Sequence, residues 1–194
     1  MKIYLRSLWV PVVVIGMSLA AYATAADIAK LVAPCVKCHG KEGASDEPDT
    51  PNIGGMSTGY IEYNLMAYKK KERPCPDNIM CKNTKDLSES DISQLAKFFA
   101  DKKFVRAVQN FDPELAKKGK AIHQQNCEKC HSNDGSEAKD DAGILAGQWT
   151  PYLRTTFQEY SSGGRHMEQK MKPKIQKLDN DGFEALLNYY ASFK

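Results

Sequence analysis

The sequence predicts an all-α protein built from two similar domains, and three observations lead there. Apolar residues recur at helical spacing in each half, no convincing strand alternation follows residue 25, and one pentapeptide with its surroundings is written twice.

The duplication sets the organisation. Cys127 follows Cys35 by 92 positions, and the same offset pairs Gly55 with Gly147, Tyr60 with Tyr152, Tyr68 with Tyr160 and Arg73 with Arg165. After a single-residue deletion the offset becomes 91, pairing Leu87 with Leu178, Leu95 with Leu186 and Phe98-Phe99-Ala100 with Tyr189-Tyr190-Ala191. Residues 26–106 and 107–194 are expected to be the tandem domains, with residues 101–111 as a short, charged connector.

Each helix has a local reason. Asp27 is expected to cap a short helix carrying Ile28, Leu31 and Val32 on one face. Ser88 to Asp91 resembles a capping box with Asp in place of Glu, ahead of the stripe Ile92, Leu95, Ala96 and Phe99. In the second half Asp112-Pro113 is an N-cap and first-turn pair before Leu115, Ala116 and Ile122. Phe183, Leu186, Leu187 and Tyr190 repeat the final stripe.

The repeated pentapeptides are Cys35-Val36-Lys37-Cys38-His39 and Cys127-Glu128-Lys129-Cys130-His131. Cys-x-x-Cys-His is the attachment signature of c-type haem. Cys35 and Cys38, and Cys127 and Cys130, can each add to the two vinyl groups of one porphyrin, placing His39 and His131 under the irons as proximal ligands. Two covalent haems would also supply apolar mass to domains small for independent cores. Zinc pairs usually lie about 15–20 residues apart, much closer than Cys38 and Cys127. A thioredoxin-like redox pair needs a βαβ context, and none is visible.

The N-terminus reads as an export signal, residues 1–25. Lys2 and Arg6 precede an apolar run from Leu8 to Ala20, and Ala23-Thr24-Ala25 gives a small-x-small cleavage pattern. The run is short for a membrane anchor of about 20 residues. A soluble periplasmic chain starting near Ala26 is expected, in agreement with the haem motifs. Its 25 basic residues then face 24 acidic ones, and haem propionates would bring the charge near neutral or slightly acidic, so charge does not indicate nucleic acid. The remaining cysteines, Cys75 and Cys81, bracket Met80 and are read as a disulfide of the oxidising compartment that holds Met80 in place.

The sixth iron ligand follows from register. Met80 precedes Leu87, and Met171 precedes Leu178, by the same seven residues, so Met80 and Met171 are the expected partners of His39 and His131. Methionine at that position raises the potential and favours electron transfer over gas binding. Core filling is the alternative role. Met167 and His166 remain rival ligands in the second half, Met56 and Met66 are read as packing, and His123 as an exposed or packing histidine. No Ser-His-Asp grouping, phosphate loop, or flavin or nicotinamide fingerprint is present, and Gly163-Gly164 reads as a turn. An electron relay is expected rather than a catalyst.

The doubled pattern resembles the cytochrome c4-type dihaem proteins, made of two class I cytochrome c domains. Residues 143–153, Gly-Ile-Leu-Ala-Gly-Gln-Trp-Thr-Pro-Tyr-Leu, and Met167-Glu168-Gln169-Lys170-Met171 resemble more closely the dihaem subunit of flavocytochrome c sulfide dehydrogenase. That resemblance implies a partner flavoprotein carrying FAD and oxidising sulfide, with electrons passed on to a soluble acceptor such as a small cytochrome c. It does not cover the Cys75–Cys81 bracket. A free cytochrome c4-like carrier to a terminal oxidase and a dihaem redox enzyme are the alternatives. Gly55 and Gly147 are expected where backbone passes the haem edge. Tyr60, Tyr152 and Trp149 are candidates for contact with porphyrin or propionates, with ordinary core packing as the alternative. Lys69, Lys70, Lys71, Lys170, Lys172, Lys174 and Lys177 could steer an acidic partner, or be solvated surface.

Overall fold

The computed structural model of the chain describes residues 25–194, and the expected signal segment lies almost wholly outside them. The described residues form α-helices and one 3-10 turn, with no strand among them. The first half holds α1 (Ala25–His39), α2 (Thr58–Lys69), α3 (Ile79–Thr84) and α4 (Glu89–Ala100). The second holds α5 (Pro113–Asn126), α6 (Ser132–Gly135), α7 (Thr150–Ser161), α8 (Lys172–Ile175) and α9 (Asn180–Ala191). No helix among the described residues is long and apolar enough to cross a membrane.

The caps form as the sequence expects. Ser88 and Asp91 close a reciprocal capping box on α4, and Asp112 accepts from the Glu114 and Leu115 amides at the start of α5. Asp179 caps α9 through the Gly182 amide. Asp27 departs from expectation: α1 begins at Ala25, placing Asp27 in its first turn, where a carboxylate favours the positive helix end.

Two buried cores form, one from α1, α2 and α4 and the other from α7 and α9. Val32, Ile61, Leu95, Ala96 and Phe99 form one centre, while Tyr152, Leu153, Leu186, Leu187, Tyr189 and Tyr190 form the other. Gly119 lets α5 and α9 touch, since a Cβ there would lie 2.0 Å from the Ala185 carbonyl oxygen.

The internal repeat extends to individual hydrogen bonds. Ile53 and Gly54 donate to Gly43 O just as Leu145 and Ala146 donate to Gly135 O. Gly55 donates to Phe99 O at 2.9 Å, and Gly147 to Tyr190 O at 2.8 Å. Both glycines have positive φ, 75° and 76°. They approach the chain linking the halves closely: added Cβ atoms would meet Phe104 N at 2.7 Å and the Arg106 side chain at 2.5 Å.

The linking residues are packed rather than free. Ala107 is buried and donates to Gly147 O, Val105 O accepts from Asn52 Nδ2, and Gln109 Nε2 donates to Gln148 O. Across the seam, Gln148 Oε1 accepts from Asn52 N at 3.0 Å and Gln148 Nε2 donates to Asn52 O at 2.8 Å. The mate of the first bond under the 92-residue offset is Ile144 N to Met56 Sδ, 3.2 Å. Trp149 Nε1 donates to Ser45 O, tying the indole to the other half.

Candidate functional site

Helix α1 carries the first motif to its end, because Gly40 follows His39 with φ 72° and turns the chain away. That helix and α3 both line an apolar crevice. Its lining includes Cys35, Cys38, His39 and Met80, with Leu65, Leu95 and Phe99 among the walls. The structure thus brings together the two tethering cysteines and the two axial ligands that the sequence nominated for the first haem, whereas Gly55 and Tyr60 do not line this crevice.

His39 is buried, and its Nδ1 donates to Pro51 O at 2.9 Å. Burial lowers its pKa against the opposing pull of that bond. His131 repeats the arrangement, Nδ1 donating to Gly143 O at 3.1 Å, with its pKa again lowered mainly by burial. The acceptors Pro51 and Gly143 are themselves a 92-residue pair. Such backbone bonds fix ring orientation and ligand basicity. The sequence reading placed Pro51 in the loop passing the haem edge and Gly143 at the start of the family-like stretch, but gave neither this accepting role.

The second motif differs locally. α5 ends at Asn126, so Cys127 to Cys130 lie beyond it, and Asn133 and Asp134 adopt left-handed conformations. Cys127 lines a second crevice with Ile122, Ile175, Leu178 and Leu186. Met171 caps α8 half-buried and does not border this crevice; nor do His131, Met167 or His166. Cys38 and Cys130 are both exposed.

His123 is fully buried rather than exposed, with Nδ1 2.9 Å from the Tyr190 hydroxyl and Nε2 2.7 Å from Glu128. Packing is therefore its role. Cys75 and Cys81 lie close together as thiols in the structure. The Cys81 amide donates to Cys75 Sγ at 2.9 Å, a contact available because Cys81 sits on α3 while Cys75 lies in the preceding loop. Burial, then Cys75, pushes the Cys81 thiol up to about 11. Of the lysines, Lys69 is engaged by Leu87 O, whereas Lys170, Lys172, Lys174 and Lys177 are exposed.

A buried polar cluster contains the offset pairs Arg73 and Arg165, and Tyr68 and Tyr160. Arg73 Nε donates to Glu159 at 3.1 Å and Arg73 Nη1 to Asn64 Oδ1 at 3.0 Å. Arg165 Nη2 reaches the same Asn64 oxygen at 2.7 Å. The two cations stack near Tyr68 and Tyr160, and burial works to raise the Tyr152 hydroxyl pKa while Arg73 and then Arg165 outweigh it and draw it down. Two guanidinium groups face one carboxylate. Arg165 Nε and Nη1 and Thr156 Oγ1 are, among the described residues, the only buried side-chain polar atoms without a hydrogen bond.

These features suit haem c. The first crevice offers apolar walls, two thiols, a nitrogen ligand and a thioether, and the buried cationic cluster suits carboxylate groups. Residues 114–189 match the family described as cytochrome C oxidase, cbb3-type, subunit III. Cytochrome c4 of Stutzerimonas stutzeri is 29% identical over 178 residues, covering 81% of this chain and 83% of its own. Cytochrome c-554(548) of Halomonas halodenitrificans is 31% identical over 70 residues, which are 84% of that protein and 36% of this chain. The crystal structure of reduced recombinant cytochrome c4 from Pseudomonas stutzeri superposes with TM-score 0.75 at 24% identity, covering 89% of this chain and 100% of that one. Thiosulfate dehydrogenase (TsdBA) from Marichromatium purpuratum gives TM-score 0.69 at 25% identity, covering 81% of this chain and 36% of that one. With its two haem-attachment motifs on a duplicated helical fold, the chain belongs to the c-type cytochromes, as a cytochrome c4-like dihaem protein.

Proposed function

We propose that this dihaem carrier is a periplasmic relay in which His39 and Met80 ligate one iron and His131 and Met171 the other. Cys35 and Cys38, and Cys127 and Cys130, form the thioether tethers, and the domains divide at residue 106 after a signal segment of residues 1–25. The observation that carries the reading is the shared crevice of Cys35, Cys38, His39 and Met80. Haem c, when bound, supplies a one-electron iron couple. The residues supply orientation through the His39–Pro51 and His131–Gly143 bonds, a soft sulfur ligand, and an apolar wall that excludes water. The Cys75–Cys81 pairing, as a disulfide formed after export, would hold the loop before Met80.

For a partner, the favoured reading is an FAD-carrying sulfide dehydrogenase subunit that donates electrons, with a soluble cytochrome as acceptor. Its support is the likeness of residues 143–153 and 167–171 to a flavocytochrome subunit, together with a structural neighbour named as a thiosulfate dehydrogenase. The competing reading, a free carrier, is favoured by a cytochrome c4 relative that matches across both halves. Purification of the native protein separates them. Co-eluting flavin absorbance and haem reduction on adding sulfide support the first; a lone cytochrome that does not respond to sulfide leaves the free carrier.

A further inference from the structure

We propose that Tyr190 is a positioning residue for the second haem, held by His123 and Glu128 so that its hydroxyl oxygen lowers the potential of that haem alone. Three side chains are joined in series: Tyr190 Oη lies 2.9 Å from His123 Nδ1, and His123 Nε2 lies 2.7 Å from Glu128 Oε2. Tyr190 and His123 are buried, and Glu128 is fixed by the Asn133 and Asp134 amides at 2.8 and 3.1 Å. A carboxylate only accepts, so Nε2 donates to Glu128, and Nδ1 of the neutral ring accepts from the Tyr190 hydroxyl. Burial, with Cys127 next, holds the Tyr190 pKa well above its usual value, so the hydroxyl keeps this proton. Hydrogen bonds in series polarise one another, and the electron-rich end of this series is the phenol oxygen.

That oxygen stands at the first cysteine of the second motif. His123 O accepts from the Cys127 and Glu128 amides at 2.7 and 3.0 Å, holding the tether's backbone. Burial raises the Cys127 thiol pKa, and the Tyr190 hydroxyl beside it is the foremost influence in the other direction. Electron density against this tether favours the more positive, ferric iron. The first half carries hydrocarbon in the same places. Under the repeat offsets Leu31 stands for His123, Val36 for Glu128 and Phe99 for Tyr190, and all three pack into the first core. Since the first half packs without polar groups there, packing alone does not call for the second half's connected set.

The inference rests on the dihaem reading. Its test is a redox titration of the holoprotein, each potential assigned by the paramagnetic NMR signals of its haem, with haem content measured alongside. Y190F deletes the hydroxyl and leaves the ring that the first half carries at position 99. The second potential is expected to rise and the first to stay. E128Q removes the charge from the far end of the series, and the rise it causes should be smaller in the Y190F background than in the wild type. A two-haem Y190F protein overturns the proposal if both potentials are unchanged, if both shift equally or if the second falls, even should its melting temperature drop. An E128Q effect of full size in the Y190F background overturns it too, because the charge would then act through space. Should Y190F fail to retain two haems, H123L is decisive: it places the residue of position 31 behind the same hydroxyl. A second potential unchanged in H123L overturns the proposal equally. Absence of haem c from the wild-type protein would remove the underlying reading rather than this inference alone.

Discussion

The contact of α5 with α9 makes Gly119→Ala a demanding perturbation. In an exposed helix interior this change stabilises by about 1 kcal/mol, through propensity alone. Here the new Cβ would stand 2.0 Å from Ala185 O, 2.5 Å from Ala185 C and 2.7 Å from Tyr189 Cβ. Restoring an ordinary carbon–oxygen contact of about 3.4 Å means separating the helices by about 1.4 Å. Two of the three obstacles are backbone atoms that cannot rotate aside, and Ala185 is 1% exposed. Overpacking of this kind costs about 1–3 kcal/mol, and the rigid backbone puts this site at the upper end. The net loss is about 2 kcal/mol after the propensity gain. For a chain of this size that lowers the melting temperature by about 4–8 °C. Thermal melts of the dihaem protein, followed by far-UV circular dichroism, read it directly. An unchanged or raised melting temperature would refute the reasoning, because propensity would then have outweighed contact.

Met80→Ala should abolish the near-infrared sulfur-to-iron band of one haem and lower its potential, and Met171→Ala should do so for the other. A band that persists would reassign that ligand. Gln148→Ala strands the buried Asn52 amide and carbonyl, each costing about 1–3 kcal/mol, so a denaturant midpoint well below wild type is expected. Ser88→Ala removes the α4 cap and costs about 1 kcal/mol. Its bonds to Ser88 hold the Asp91 pKa below the ordinary carboxylate value, so this contribution is present above that value and fades as pH falls through the lowered one. The Ser88→Ala deficit should therefore shrink in acid; a deficit constant down to strongly acidic pH would count against the capping box.

The caps at Ser88 and Asp112, and the two helical stripes, were legible because each depends on residues a few positions apart. The repeat register also singled out Arg73 and Arg165, yet gave them no task. Their task depends on Asn64 and Glu159, and the Arg165–Asn64 bond spans 101 positions, a juxtaposition no local pattern encodes. Gln148 was hidden for the same reason: a glutamine followed by tryptophan looks like surface until Asn52 arrives from 96 positions away. Composition marked the linking residues as charged and short, but the packing of Phe104 and Arg106 against the first and second halves depends on Gly55 and Gly147 lacking side chains where that segment passes. The Met80 register matched a residue on the first crevice wall, whereas the same register at Met171 leads to a helix cap outside the second.

The paired seam bonds have a consequence for assembly. The side chain at position 56 accepts from the amide at 144, while the side chain at 148 accepts from the amide at 52, and both relations are 92 residues apart. Reciprocity of this kind is how an isologous twofold dimer is put together, each copy offering the same patch to the other. Joining two such units in one polypeptide turns a bimolecular encounter into a tethered one and raises the effective concentration of each patch. It also frees the two copies to diverge, which here has left a thioether on one side of the dyad and an amide on the other.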